Sequence, residues 1–192
     1  MSEPSQARRE APLAGRTLTS PDGRLEIAAL PPAARYVLRA SPDHAAVIGG
    51  SFGVAIPTTA CRAEAAGPRA ALWLGPDEWL LIAEDGAEGA IDAAFASIAG
   101  RIPHSLVDIS HRHIAVEISG TGAADTLAAG CPLDLDAGIF PPGACTRTLF
   151  GKCEIVLWRT APVTFRMEFP RSYADYLWRL IELACADVAA SK

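Results

Sequence analysis

The sequence predicts an α+β fold made of two similar β-α-β-β-β-α halves, each an antiparallel sheet covered by helices. Three observations support this prediction. Short segments alternate apolar and polar residues, as in Cys153–Trp158, which is typical of strands with one packed face. Other segments repeat apolar residues every three or four positions, as between Tyr173 and Ala184, which indicates amphipathic helices. Finally, the same order of elements occurs twice along the chain.

The first half is expected to span about residues 33–100. Ser41 and Pro42 suit the N-cap and the first turn of a helix, which we expect to stop at Gly49-Gly50. Gly100 is expected to end a second helix. The predicted elements are, in order, strand 35–40, helix 43–48, strands 59–65, 70–74 and 79–83, and helix 87–99.

The second half is expected to span about residues 105–187, after a linker at 101–109 whose end is a possible strand. Gly151-Lys152 predicts a tight connection between two strands. Pro170 and Ser172 suit the change from the last strand to the last helix. The predicted elements are strand 114–119, helix 121–129, strands 145–150, 153–158 and 164–169, and helix 172–184.

The N-terminal region is expected to differ from the rest. Residues 1–24 have almost no apolar periodicity, so we expect a flexible leader. The apolar run Leu25–Leu30 is closed by two prolines, which favours an edge strand or a segment that docks on the body or on a partner. The folded domain is therefore expected to span residues 25–187.

Composition excludes several classes of function. A net charge of -5 and a pI near 5.3 argue against binding to nucleic acid or to an anionic membrane surface. No apolar run is long enough to span a membrane, and the N-terminus lacks the apolar core of a secretory signal, so we expect a cytoplasmic protein. An odd number of cysteines without a CxxC motif predicts buried free thiols in a reducing compartment: Cys61, Cys131, Cys145, Cys153 and Cys185.

The segment DISHRH, Asp108–His113, holds the residue types of a nucleophile, a base and an acid. A catalytic triad needs these groups to converge in space, whereas neighbouring residues that enter a strand point to opposite faces. His111 and His113 could share a face as a metal pair, but no third ligand stands at a suitable spacing. We therefore expect both histidines to face solvent or an interface.

Three other motifs have a simpler structural interpretation. Asp134 and Asp136 are expected to form a turn rather than a cation site. Gly75–Glu78 and Gly120–Asp125 match no phosphate-loop or dinucleotide spacing, although an anion at the helix after Gly120 stays an alternative. Aromatic residues are expected in the core first, and any exposed ones at an interface: Trp73, Trp79, Trp158, Trp178, Tyr173 and Tyr176. No catalytic, cofactor-binding or metal-binding residue is predicted.

Five segments, between them covering most of residues 30–185, resemble the gamma subunit of heterotetrameric sarcosine oxidase. They are Leu74–Leu81, Ser105–Gly120, Leu127–Leu135, Cys145–Arg159 and Thr164–Trp178. The resemblance implies a fold similar to the folate-binding domain of aminomethyltransferase, the glycine-cleavage T-protein. That domain is itself built from related halves, which agrees with the internal repeat.

The resemblance also implies a function. It implies a non-catalytic assembly or stabilising subunit of an oxidoreductase complex that demethylates sarcosine to glycine, passing electrons to dioxygen and the one-carbon unit to tetrahydrofolate. FAD, FMN, NAD and zinc are expected on the other subunits, named alpha, beta and delta, and no site residue carries over to this chain.

Two alternatives stay open. The first is a stand-alone folate-binding or folate-dependent one-carbon transfer protein of the T-protein fold, which tetrahydrofolate binding by the isolated chain would favour. The second is a structural adaptor of an unrelated complex, which the absence of flavoprotein partners would favour.

Overall fold

The computed structural model describes residues 11–190, which form two antiparallel sheets with two helices each. The strands are β1 (Thr17–Thr19), β2 (Glu26–Ala29), β3 (Ala33–Ala40), β4 (Ala63–Ala66), β5 (Arg69–Gly75), β6 (Glu78–Glu84), β7 (His104–Asp108), β8 (His113–Ser119), β9 (Cys145–Phe150), β10 (Cys153–Ala161) and β11 (Thr164–Pro170). The helices are α1 (Ala45–Phe52), α2 (Glu88–Ile98), α3 (Ala123–Ala128) and α4 (Ala174–Ala190), and 3-10 turns precede α1 and α4.

The strand order confirms the predicted internal repeat. Sheet I has the order β4-β5-β6-β3-β7, and sheet II has the order β9-β10-β11-β8-β2-β1. The four strands β4-β5-β6-β3 thus correspond to β9-β10-β11-β8, and each set belongs to a β-α-β-β-β-α unit. The fifth strand comes from outside the unit in both sheets, since β7 follows α2 and β2 precedes β3. The limits 33–100 and 105–187 of the two halves stay a prediction.

Both faces of each sheet are packed, which gives four layers in the order helices, sheet I, sheet II, helices. On its outer face, sheet I packs against α1 and α2, as through Trp79 and Phe95. Sheet II packs against α3 and α4 in the same way, through side chains such as Phe165 and Leu177. The inner faces meet in a third apolar cluster: Ala70, Leu72, Leu80 and Ile82 of sheet I, with Ile109, Cys145, Val156 and Trp158. The inner faces therefore exclude water from the polar groups that lie among them.

The first helix differs from its prediction at one end. Ser41 accepts a hydrogen bond from the Asp43 amide at 3.3 Å, and Pro42 occupies the first turn, as predicted. The helix does not stop at Gly49-Gly50 but continues to Phe52 and ends at Gly53, whose φ of 86° is left-handed. A Cβ on Gly49 would lie 3.0 Å from the Val54 carbonyl oxygen, so this glycine serves close packing rather than termination.

The N-terminal prediction is wrong over most of its described part. Residues 1–10 of the predicted flexible leader lie outside the described residues. From residue 11 onwards the chain packs on the body: Leu13 is 3% exposed, and β1 pairs with β2. The run Leu25–Leu30 contains β2, which lies between β1 and β8 rather than at an edge. The other alternative, a segment that docks on the body, is confirmed by the burial of Leu25 and Ile27. A single leucine such as Leu13, which packs into the core of sheet II, produces no apolar periodicity in its own segment. The sequence pattern therefore gave no sign that this segment is ordered.

The cysteine prediction holds for four of the five thiols. Cys131, Cys145, Cys153 and Cys185 are buried and unpaired, whereas Cys61 is exposed. Cys61 precedes β4 with a φ of 58°, in an irregular segment at the surface. Within residues 11–190, none of the helices is long and apolar enough to cross a membrane.

Candidate functional site

A buried ion pair joins the two sheets. Arg35 of β3 donates from Nε to Oε2 of Glu168 on β11 at 2.5 Å, and each side chain is 1% exposed. Arg166 Nη2 lies 2.6 Å from the second carboxylate oxygen, Oε1. Arg35 Nη1 donates to the Ala33 carbonyl oxygen at 3.0 Å, while its Nη2 is buried and has no partner among the described residues. The carboxylate is thus fully engaged, and one guanidinium nitrogen is not.

The charges of this cluster are set by their surroundings. Burial by itself would raise the pKa of the Glu168 carboxyl, but the guanidinium groups of Arg166 and Arg35 outweigh burial and lower that pKa below its ordinary value. Glu168 is therefore ionised at neutral pH. Two guanidinium groups face one carboxylate, which leaves a local surplus of one positive charge.

Three members of the DISHRH segment anchor the connection between β7 and β8 to β3. The Arg35 amide donates to Ser110 Oγ at 2.9 Å, and the Ile109 amide donates to the Arg35 carbonyl oxygen at 2.8 Å. Asp108 Oδ1 accepts from the Ser110 amide at 2.7 Å and from Ser110 Oγ at 2.5 Å. Asp108 and Ser110 therefore support the backbone beside the ion pair.

The two histidines of this segment have different surroundings. His111 is exposed, as predicted, whereas His113, at the start of β8, is half-buried and its Nδ1 has no partner among the described residues. Burial lowers the pKa of His113 to about 4, against a smaller opposing effect of Glu168. His113 is therefore neutral at pH 7. Together with Arg35 and Arg171, both imidazoles line a small cavity of about 30 Å³.

His113 also lines a larger cleft between the sheets. This inter-sheet cleft has a volume of about 250 Å³ and is bounded by Val37 and Leu80 of sheet I and by Val156 and Glu168 of sheet II. Apolar side chains line much of it, and charged side chains line the remainder. Among residues 11–190, the structure contains no group of three or more His, Cys, Asp and Glu side chains placed to hold a metal ion.

The remaining motifs form turns. The Asp136 amide donates to Asp134 Oδ1 at 2.9 Å, and the Gly138 amide donates to Asp136 Oδ1 at 2.8 Å, which confirms the predicted turn. Gly120, with a φ of 110°, forms the turn into α3, a helix of only six residues. Gly75–Glu78 connects β5 to β6.

The aromatic residues follow the prediction in part. Trp79 is fully buried and donates from Nε1 to the Pro57 carbonyl oxygen at 2.7 Å, and Trp178 is also buried. Trp73 and Trp158 are half-buried and pack against the apolar clusters. Tyr173 and Tyr176 are each 41% exposed at the start of α4.

The ion pair that links the sheets was not predicted from the sequence. Arg35 lies in the predicted strand 35–40, and Glu168 lies on the predicted polar face of strand 164–169. A polar strand face is normally solvated, so alternation alone gave no reason to bury it. The sequence did contain one signal of burial. Val156 and Trp158 lie on the same face of the neighbouring strand as Glu168, and two large apolar side chains on one face indicate that another layer packs against it.

The sequence of this chain matches a known family over most of its length. Residues 38–187 match the model of the sarcosine oxidase, gamma subunit family. The gamma subunit from Corynebacterium sp. strain P-1 is 37% identical over 91 residues, which are 47% of this chain and 44% of that protein. The gamma subunit from Corynebacterium sp. strain U-96 is 32% identical over 163 residues, covering 79% of this chain and 77% of that protein. The first of these two matches thus spans less than half of the relative's length.

Comparison with solved structures agrees with the sequence matches. A chain of the heterotetrameric sarcosine oxidase from Corynebacterium sp. U-96, in complex with pyrrole 2-carboxylate, superposes with a TM-score of 0.79 at 25% identity. This match covers 88% of this chain and 87% of that chain. Aminomethyltransferase T of the glycine cleavage system from Bartonella henselae superposes with a TM-score of 0.58 at 14% identity, covering 81% of this chain and 44% of that chain. The second similarity concerns the fold alone.

Proposed function

The chain belongs to the sarcosine oxidase gamma subunit family, and from this membership we propose that it is the non-catalytic gamma subunit of a heterotetrameric sarcosine oxidase. The observation that carries the proposal is the structural match to a chain of such an enzyme. It extends over 88% of one chain and 87% of the other, so it compares whole folds rather than a shared motif.

The proposed reaction belongs to the complex. The complex would oxidise sarcosine to glycine with dioxygen as electron acceptor and pass the one-carbon unit to tetrahydrofolate. FAD, FMN, NAD and zinc would lie on the alpha, beta and delta subunits. A flavin, when bound, supplies the electron chemistry, and the surrounding protein positions it.

The polar groups of this chain support an assembly role. Glu168 is held by Arg35 and Arg166, and Asp108 and Ser110 are occupied in anchoring the backbone. Gly120–Asp125 leads into α3, which has only six residues and is too short for a dinucleotide-binding helix. These groups hold the two sheets together. A rigid fold of this kind suits a subunit whose role is to support an assembly.

Exposed apolar side chains support contacts with other subunits. Several large apolar residues are about half exposed or more: Ile139, Leu183 and Val107. Contiguous apolar surface often marks a protein interface, and these side chains are candidates for such contacts. We expect the larger subunits to cover part of this surface.

The experiment is co-expression with the flavoprotein subunits, with an affinity tag on this chain, followed by native mass spectrometry of the purified material. The expected result is a complex that contains this chain and flavin-bearing partners. Assembly of the other subunits with full activity in its absence would overturn the proposal. Tetrahydrofolate binding by the isolated chain would instead favour a stand-alone folate protein.

A further inference from the structure

The inter-sheet cleft has the size and the walls of a site for a small organic molecule. Its volume of about 250 Å³ corresponds to about eight water molecules at roughly 30 Å³ each. The walls combine apolar side chains from both sheets: Val37, Leu74, Leu80 and Val156. A cleft with apolar walls and a few polar groups is the usual form of a small-molecule site.

Most charged groups at the cleft already have partners. Arg147 lies 2.5 Å from Glu78 and 3.5 Å from Glu154. Glu168 is held by Arg35 and Arg166. These contacts occupy the carboxylates, so the cleft offers little attraction for a cation.

Arg112 is the exception. Its side chain is exposed and lines the cleft, and residues 11–190 give its guanidinium no hydrogen bond, ion pair or ring contact. Its backbone is fixed, because the Arg112 carbonyl oxygen accepts from the Arg171 amide at 2.8 Å and the Arg112 amide donates to the Ile109 carbonyl oxygen at 2.9 Å. A guanidinium on a fixed backbone beside an apolar cleft is well placed to receive a carboxylate.

The charge balance also favours an anion. The charged groups that line the cleft, counted together with the whole ion-pair network to which they belong, are five guanidinium groups and four carboxylates: Arg35, Arg39, Arg112, Arg147 and Arg166, with Asp77, Glu78, Glu154 and Glu168. One positive charge remains. His113 lines the cleft and also the small cavity of about 30 Å³, and its buried ring nitrogen Nδ1 has no partner among the described residues.

We propose that the inter-sheet cleft binds a small organic monoanion, a carboxylate with an apolar body. The carboxylate accepts hydrogen bonds from Arg112, with His113 beside it, and the apolar body packs on Val37, Leu80 and Val156. This site goes beyond the assembly role, since neither contact with other subunits nor sarcosine oxidation requires it.

The test uses 4-methylpentanoate and its uncharged analogue 4-methylpentanamide as probes, in isothermal titration calorimetry with the purified full-length chain. We expect the carboxylate to bind and the amide to bind at least about tenfold more weakly, because the amide has no charge for the guanidinium to pair with. Arg112→Gln should weaken carboxylate binding by about tenfold. Arg179→Gln, which removes another exposed guanidinium on α4, should leave it unchanged.

A second measurement locates the ligand. In nuclear magnetic resonance spectra, 4-methylpentanoate should shift the Arg112 Nε–H signal and the His113 ring signals, and circular dichroism should show that Arg112→Gln is folded. Equal binding of the two probes, no binding of the carboxylate, or unchanged affinity in folded Arg112→Gln would each overturn the proposal.

Discussion

Glu168 is the carboxylate that pairs with the guanidinium groups of both Arg35 and Arg166 between the sheets, so Glu168→Gln tests the architecture most sharply. The substitution keeps the size of the side chain but removes its charge. Arg35, which is 1% exposed, would then remain charged without a counterion, while Arg166 is 18% exposed and can reach water. Removing one partner of a buried ion pair costs roughly 3–5 kcal/mol of unfolding free energy, and we expect a loss of that order.

Two companion variants separate the charge from the packing. Arg35→Met should cost less than Glu168→Gln, about 1–3 kcal/mol, because Glu168 keeps its contact with Arg166. The double variant Arg35→Met/Glu168→Leu should be more stable than Glu168→Gln alone, because no buried charge is left without a partner. Asp77→Asn is the matched control. It breaks an ion pair whose side chains are 52% and 53% exposed, and should cost less than about 1 kcal/mol.

The assay is equilibrium urea unfolding of the full-length chain, followed by tryptophan fluorescence. The sign of the pH dependence follows from the lowered pKa of Glu168. Its ionisation stabilises the fold above the ordinary pKa of 4.5, and this contribution is lost as the pH falls from there through the folded-state pKa. The difference between the wild type and Glu168→Gln should therefore shrink in acid. A loss below about 1 kcal/mol at pH 7, or a double variant no more stable than Glu168→Gln, would show that Glu168 is not needed to compensate the buried charge of Arg35.

Three further predictions concern single sites. Because burial lowers the pKa of His113 from 6.5 to about 4, the native state is destabilised as the pH falls from 6.5 towards 4. His113→Asn should flatten the dependence of the unfolding free energy on pH in that window. An unchanged slope would contradict this. Gly120→Ala should lower the unfolding free energy by roughly 1–3 kcal/mol or more, because the residue has a φ of 110° and a Cβ would overlap the Arg24 carbonyl oxygen. Gly50→Ala, in α1 with open space around it, should instead raise the unfolding free energy by roughly 0.5–1 kcal/mol. Similar effects at both sites in urea unfolding would contradict the described backbone. Iodoacetamide should modify only Cys61 in the native chain, detected as a single adduct by mass spectrometry, since the other four thiols are buried; two or more adducts without unfolding would contradict the described burial.

The local patterns of the sequence were sufficient for the repeat and for most elements within the two halves, but not for β1. Alternation in Cys153–Trp158 identified the buried face of that strand correctly. The apolar stripe between Tyr173 and Ala184 identified the last helix, but Tyr173 and Tyr176 of that stripe are exposed rather than buried. The helix end at Gly49-Gly50 was misplaced, because a glycine that allows close packing and a glycine that ends a helix look alike in one sequence.

Features that depend on long-range contacts could not be predicted. The pairing of Arg35 with Glu168 joins residues 133 positions apart, and it is defined only when the two sheets are packed face to face. The burial of Leu13 depends likewise on a core that the second half builds. In both cases the sequence shows one isolated residue, and the partner that determines its environment lies in another layer.

The most direct test of the proposed role is sarcosine-dependent hydrogen peroxide production, measured on the isolated chain and on the purified complex that contains it. We expect the isolated chain to show neither flavin absorbance nor peroxide production, whereas the complex should show both. We also expect nearly unchanged turnover when the complex carries His111→Ala. Peroxide production by the isolated chain, or a large loss of turnover in an intact His111→Ala complex, would contradict a non-catalytic gamma subunit.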